Sequence, residues 1–233
     1  MKISKRVSKI INSINVVKNT TYYDIGCDHG IIGYQLLKTF ATIKVVFCDI
    51  SAHNLNKARQ LCLSDSTLIN RCEFINCDGV PQNAKLGNIG LIFGLGGESI
   101  IEILQKNNQI EEFYLQPVTS TIALRKYLSQ NGYHIIVDVL LFDGKKYYDF
   151  IHIIKTSQNE ELSIDELIWG KSNIYRMDEE FTNYLKKEKN NLEKVLAMID
   201  IDMLEYKNNV EKFDILKTKY DKILQLLEGV NNE

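Results

Sequence analysis

Asp24, Asp28 and His29 stand in the stretch YYDIGCDHGIIG, residues 22–33, interleaved with Gly26, Gly30 and Gly33. A glycine-rich turn lets backbone lie close to a ligand. Where that ligand is a pyrophosphate, the second glycine of the fingerprint brings the main chain against it over a helix N-terminus. Here Asp28 holds that position, and its carboxylate would repel phosphate. No complete phosphate loop of the GxxxxGK[ST] form occurs in the chain either. S-adenosylmethionine is a ligand with an adenosine and an amino acid but no phosphate. Its ammonium and sulfonium are cations that carboxylates attract. Asp24, at the end of a strand, is then placed to reach the methionine end directly or through water, while Gly26 and Gly30 let backbone approach. A metal held by Asp24, Asp28 and His29 is the alternative. No further His or Cys cluster accompanies them, so no metal is expected.

Other groups fall where the same ligand needs them. Asp49 ends the second strand, where a carboxylate grips ribose hydroxyls, with Ile50 beside it. Asp78 ends the third in Cys77-Asp78-Gly79, where an acid can accept from an adenine amino group. Each could instead cap the following helix, but three acids at three successive strand ends favour a shared ligand. The fourth strand ends in Gly94-Leu95-Gly96-Gly97, and ligands sit beyond strand carboxyl ends, so this bare backbone borders the same pocket. The expected cofactor-binding set is therefore Asp24, Gly26, Asp28, His29, Gly30, Asp49, Ile50, Asp78, Gly79, Gly94, Leu95 and Gly96.

The elements that must position these residues alternate. Ser4 caps a helix with Val7, Ile10, Ile11 and Ile14 on one face. Strands follow at TTYYDIG, KVVFCD, CEFINCD, NIGLIFG and EFYLQ, separated by helices at 31–40, 55–63, near 99–105 and near 122–130, the last stopped by Gly132. Strands with helical crossovers predict an α/β fold with a parallel sheet covered on both faces. HIIVDVLLFDGKKYYDFIHIIK breaks the pattern. Two apolar runs around Asp143-Gly144 predict a hairpin, hence an antiparallel end to the sheet. That arrangement suits methyltransferases with a Rossmann-like sheet and not dinucleotide dehydrogenases.

After Lys155 the chain turns polar, and from about Asp178 it reads as helix to its end without proline. Leu192, Leu196, Ile199, Met203, Tyr206, Val210 and Phe213 alternate steps of four and three, and Tyr220, Leu224 and Leu227 resume them, the seam of a coiled coil. Such a stripe must fold back as a hairpin, with Asn208-Asn209 as one place to turn, pair with a second subunit, or pack on the sheet. The boundary is expected at 160/161: a Rossmann-like domain over 1–160 and a helical coiled-coil domain over 161–233, in a monomer or a dimer formed through the coil.

A hydrophobic share of 45% and a charged share of 25% are those of a soluble globular chain. No apolar run approaches the roughly 18 residues that a membrane span needs, and no apolar segment follows the basic N-terminus to signal export. Five cysteines without CxxC pairing read as small buried hydrophobes in a reducing cytoplasm. The net charge is −2, but residues 1–20 carry Lys2, Lys5, Arg6, Lys9 and Lys18 and no acid, leaving −7 for the rest. An acid-free basic N-terminus favours a nucleic-acid partner.

DIGCDHG, the third-strand CDG, GLGGESIIEIL, LQP followed by an Arg-x-x-Leu helix, the DGKKYY hairpin and the N-terminal SKRV together resemble the bacterial tRNA (adenine-22 N1)-methyltransferases. The resemblance runs through residues 1–155, and that family also ends in a helical coiled-coil domain. Leu95 stands where the family usually has methionine, and Val118 where it has asparagine after Gln116-Pro117. The resemblance implies methyl transfer from S-adenosylmethionine, leaving S-adenosylhomocysteine, to N1 of one adenine in the D-arm region of tRNA. Adenine N1 has an in-plane lone pair and needs no prior deprotonation. It needs in-line placement and tolerance of the charge that develops on the ring. Asp28 is the expected catalytic residue, accepting from the adenine amino group, with His29 shaping the loop. Lys2, Lys5, Arg6, Lys9 and Arg125 are the expected phosphate contacts. A non-catalytic module on the same fold, or a methyltransferase acting on a small molecule or DNA, are the alternatives.

Overall fold

The computed structural model describes residues 3–198 and 207–230. In chain order the first unit runs α1 (Lys5–Ser13), β1 (Thr21–Ile25), α2 (Ile31–Thr39), β2 (Lys44–Asp49), α3 (Ala52–Leu63), β3 (Cys72–Asn76), β4 (Ile89–Phe93), α4 (Gly97–Lys106), β5 (Glu112–Gln116), α5 (Thr121–Gln130), β6 (Tyr133–Phe142), β7 (Tyr147–Lys155), α6 (Ile164–Trp169) and α7 (Lys171–Arg176). The second holds α8 (Glu179–Met198) and α9 (Lys207–Val230). The seven strands form one sheet in the order β3-β2-β1-β4-β5-β7-β6. The first five strands pair in parallel, while β7 runs antiparallel to both β5 and β6. The expected hairpin closes at 143–146, where Asp143 N–H donates to the Lys146 carbonyl at 3.1 Å.

Parallel strands covered on both faces must be apolar throughout. β1 is buried from Tyr22 to Ile25, and β5 from Phe113 to Gln116. One core layer joins Ile10, Ile11 and Ile14 of the N-terminal segment to Leu36 and Ala58 of α2 and α3. The other joins Ile100 and Leu104 of α4 to Leu124 and Leu128 of α5. Ser4 caps α1 as expected, its hydroxyl accepting from Val7 N–H at 3.2 Å. Gly90 makes room inside the sheet: a Cβ there would stand 2.2 Å from the Phe113 ring on the neighbouring strand.

Two expectations about the second half need correction. The compact first unit extends to Ile174, within α7, not to 160. α6 packs on α5, and the carbonyls of Leu167 and Ile168 accept from Arg125. The segment read as merely polar thus contains α6 and α7. The sequence does carry a helix-start signal there, the capping box of Ser163 and Glu166. The turn is not at Asn208-Asn209, since both lie inside α9; asparagine costs only about half a kcal/mol in a helix interior. α8 and α9 pack against each other, with Lys219 paired to Glu188 at 3.0 Å and Tyr220 donating to Glu193 at 2.8 Å. Leu192 and Ile223 are buried there, while Leu196, Phe213, Tyr220, Leu224 and Leu227 are half-buried. Ile199, Met203 and Tyr206 of the expected seam lie outside the described residues, as does the side chain of Val210. Among the described residues no helix is long and apolar enough to cross a membrane.

Candidate active site

Strand order reverses on either side of β1, so the connections leaving β1 and β4 diverge and open a cleft at the carboxyl ends of the strands. The turn after β1 is built from its own residues. Gly26 and Cys27 N–H both donate to the Cys48 carbonyl, at 2.8 and 3.1 Å, tying the turn to β2. Asp28 adopts the left-handed region (φ +49°), which aspartate tolerates better than most side chains. Its N–H donates to Asp49 Oδ2 at 2.9 Å, and its carboxylate lies 2.6 Å from His29 Nδ1. Gly30 begins α2 at φ +69°, and a Cβ on it would stand 2.6 Å from Ala58 Cβ. Glycine is required there to seat α2 against α3.

The cleft has a volume of about 670 Å³ and gathers most of the residues expected from sequence. Asp24, Gly26, Asp28, His29, Asp49, Ile50, Asp78, Gly79, Gly94 and Leu95 line it. Gly30 and Gly96 do not; they start α2 and α4 behind the lining. Asp24 is buried and accepts Gly33 N–H at 3.0 Å through Oδ2. Asp49 accepts Ser51 N–H at 2.8 Å through its second oxygen. Asp78 is exposed and paired to Lys106 at 2.8 Å. Ser99, Glu102, Ile103 and Lys106 complete that wall from α4. These four went unnoticed in sequence, although their three–four spacing after a strand-end glycine cluster is the signal for a helix face turned toward a site. Among the described residues no three His, Cys, Asp or Glu side chains are grouped to hold a metal ion. Cys27, Cys48 and Cys62 are buried free thiols.

Burial pushes Asp24 up from 3.8 to about 7, against the lowering effect of Gly33 N–H and with help from the charge of Asp49. The folded chain therefore keeps this proton up to about 7, whereas the unfolded chain releases it near 3.8. Between these values the native state binds more protons, so stability falls as pH rises, by at most about 1.4 kcal/mol per pH unit. Asp24→Asn is expected to flatten that slope in urea unfolding across the window. An unchanged slope would assign it to another group.

The expected phosphate contacts part company. Lys5 is exposed and Lys9 half-buried on α1, and Lys2 lies outside the described residues. Arg6 lines the cleft itself, its Nη2 donating to Gln116 Oε1 and its guanidinium lying 5.0 Å from the Tyr148 ring centroid. Arg125 is not a surface contact. It is 1% exposed, bonded to Asp138 at 2.7 and 2.8 Å and to Asp149 at 2.6 Å. Its charge is consumed inside the first unit, so it is withdrawn from the tRNA-binding set.

Comparison with known proteins agrees with this architecture. A family model described as tRNA (adenine(22)-N(1))-methyltransferase matches residues 22–224. A relative from Mycoplasma pneumoniae, provisionally named a tRNA methyltransferase, is 35% identical over 173 residues, covering 72% of this chain and 79% of its own. One from Mycoplasma genitalium with a similar name is 34% identical over 172 residues, covering 72% and 77%. Among solved structures, M. capricolum TrmK in complex with S-adenosyl-homocysteine superposes with a TM-score of 0.74 at 24% identity, over 96% of this chain and 100% of that one. A Streptococcus pneumoniae protein in complex with S-adenosyl-L-methionine gives 0.75 at 18% identity, over 97% and 100%. These two show the shared Rossmann-like methyltransferase fold. The match of the family model along most of the sequence settles membership: the chain belongs to the tRNA (adenine(22)-N(1))-methyltransferase family.

Proposed function

We propose that this chain methylates N1 of adenine 22 in tRNA, using S-adenosylmethionine bound in the cleft beyond β1, β2 and β4. Beyond family membership, one observation carries this: the cleft is rimmed by Asp24, Asp28, Asp49 and Asp78 around a glycine turn. That set of acidic acceptors repels phosphate and welcomes a cationic nucleoside. When bound, S-adenosylmethionine supplies an electrophilic methyl group on a sulfonium. The chain's own residues do the rest. Asp49 fixes the turn through Asp28 N–H and Ser51 N–H, and each of its oxygens keeps a second acceptor site for ribose hydroxyls. Asp24 spends one oxygen on Gly33 N–H and leaves the other toward the ligand's ammonium, whose positive charge favours release of the proton that burial alone would hold on Asp24. Asp28, oriented by His29, accepts from the adenine amino group and offsets the charge that develops on the ring.

The test is nucleoside analysis of an unmodified tRNA pool before and after incubation with protein and cofactor. 1-Methyladenosine at position 22 is the expected product. Its absence, or methyl on another nucleoside, would overturn the proposal. The cofactor site has its own test in Asp49→Ala. Loss of a charged acceptor should cost about 1.5–3 kcal/mol, or about ten- to a hundredfold in calorimetric affinity. Unchanged binding would remove Asp49 from the site. The α8–α9 pair, read as an antiparallel coiled coil, serves to hold tRNA. A chain ending at Ile174, run beside the full chain, should keep cofactor affinity and lose tRNA affinity. Full tRNA affinity in that shortened chain would leave the helices a purely structural part.

A further inference from the structure

The whole chain is slightly acidic, so an RNA backbone must be met by a local patch. The cleft is lined by one lysine, Lys106, and it is committed to Asp78. Arg6 is not committed to any acid. Although the carboxylates of Asp24, Asp28, Asp49, Asp78 and Glu102 share its cleft, its partners are the neutral amide of Gln116 and the face of Tyr148. Its Nε is buried without a hydrogen-bond partner, a guanidinium donor left over. On the far side Gly94 offers no side chain; a Cβ there would lie 3.5 Å from Arg6 Nη2. Arg6 thus faces the open end of β4, where an acceptor would enter.

Arg6 is also the inner end of a basic surface. Lys5 precedes it, and a Cβ on Gly144 would lie 3.4 Å from Lys5 Nζ, so α1 brings its cations against the β6–β7 turn. That turn carries Lys145 and Lys146, both exposed. Among the described residues, none of these four cations is ion-paired with a carboxylate. The same turn carries an acid, Asp143. It accepts from Lys145 N–H, Lys146 N–H and Tyr148 O–H at 2.8, 2.9 and 3.2 Å, so its charge is largely held by the turn itself.

We infer that Lys5, Arg6, Lys145 and Lys146 form a phosphate-binding surface that carries the tRNA backbone to the cleft, with Arg6 on the phosphodiester of the acceptor nucleotide. This rests on the proposed function. Arg6 takes phosphate rather than the base because methylation makes the adenine ring cationic. A guanidinium on the ring edge would oppose the reaction, whereas one on the phosphate anchors the nucleotide without that cost. Lys145 and Lys146, exposed at the turn tip, act as point charges along the path.

The test is tRNA binding by the full chain over a KCl series of about 0.05–0.2 M. Lys145→Ala combined with Lys146→Ala should weaken binding and make the log–log salt slope less negative by about 1.5, two phosphates' worth of released counterions. Calorimetric affinity for S-adenosylmethionine should stay the same. Arg6→Ala should lower kcat/KM for tRNA about ten- to a hundredfold, and Arg6→Lys should restore part of it, since lysine keeps the charge that phosphate needs. An unchanged slope in the lysine variant, while the parent chain binds and methylates tRNA, would overturn the surface and leave the proposed function standing. Failure of Arg6→Lys to recover more than Arg6→Ala would make Arg6 a prop for Gln116 and Tyr148. A parent chain that binds no tRNA would overturn both.

Discussion

Asp28→Asn is expected to lower single-turnover methylation at saturating tRNA by about 10²–10³, the usual loss when one charge-stabilising contact to a transition state is removed. The substitution spares the loop. Asparagine tolerates the left-handed backbone that Asp28 adopts at φ +49°, and the N–H that donates to Asp49 Oδ2 belongs to the backbone. The amide can still accept from the adenine amino group. What disappears is the negative charge beside a ring that turns cationic as N1 takes the methyl. Cofactor affinity should change little, because Asp24 and Asp49 keep their positions through Gly33, Ser51 and the Asp28 N–H. A variant that methylates at the parental rate would leave Asp28 a loop residue, and the group near N1 would have to be sought elsewhere on the cleft wall.

Arg125→Ala is expected to destabilise the protein by about 3–5 kcal/mol, the cost of breaking a buried ion pair from one side. Asp138 is fully buried, and burial already pushes its carboxyl above the usual range against the pull of Arg125. Without the guanidinium it must stay charged and alone or take a proton. The carbonyls of Leu167 and Ile168 lose their donor at the same stroke, freeing α6 from α5. Gly170 shows how tightly this corner is closed: a Cβ there would stand 2.6 Å from Asp138 Oδ1. Arg125→Lys keeps the charge but loses the paired geometry and should fall between parent and alanine in urea unfolding. Its tRNA salt slope should match the parent's. Parental stability with a flattened salt slope would return Arg125 to the RNA surface and refute the buried role.

Sequence by itself determined the sheet and the acidic rim of the site. Apolar runs, turn residues and capping residues act within a few positions of one another, so the strands, most helices, the Asp143-Gly144 hairpin and the glycine turn at Gly26–Gly30 are all legible locally. The convergence of Asp24, Asp49 and Asp78 follows too, because consecutive parallel strands end on one edge of a sheet. Tertiary structure alone decided where the cations went. An arginine on a helix reads the same whether it meets phosphate or a buried acid. Arg125 finds Asp138 and Asp149 at separations of 13 and 24 residues, and Arg6 finds Gln116 at 110. The same distance in sequence hid the extension of the first unit to Ile174, which depends on Arg125 bonding carbonyls 42 and 43 residues away. A charge's role is set by what packs against it, and these partners are brought together only when β6, β7 and the segments around them close over α1 and α5.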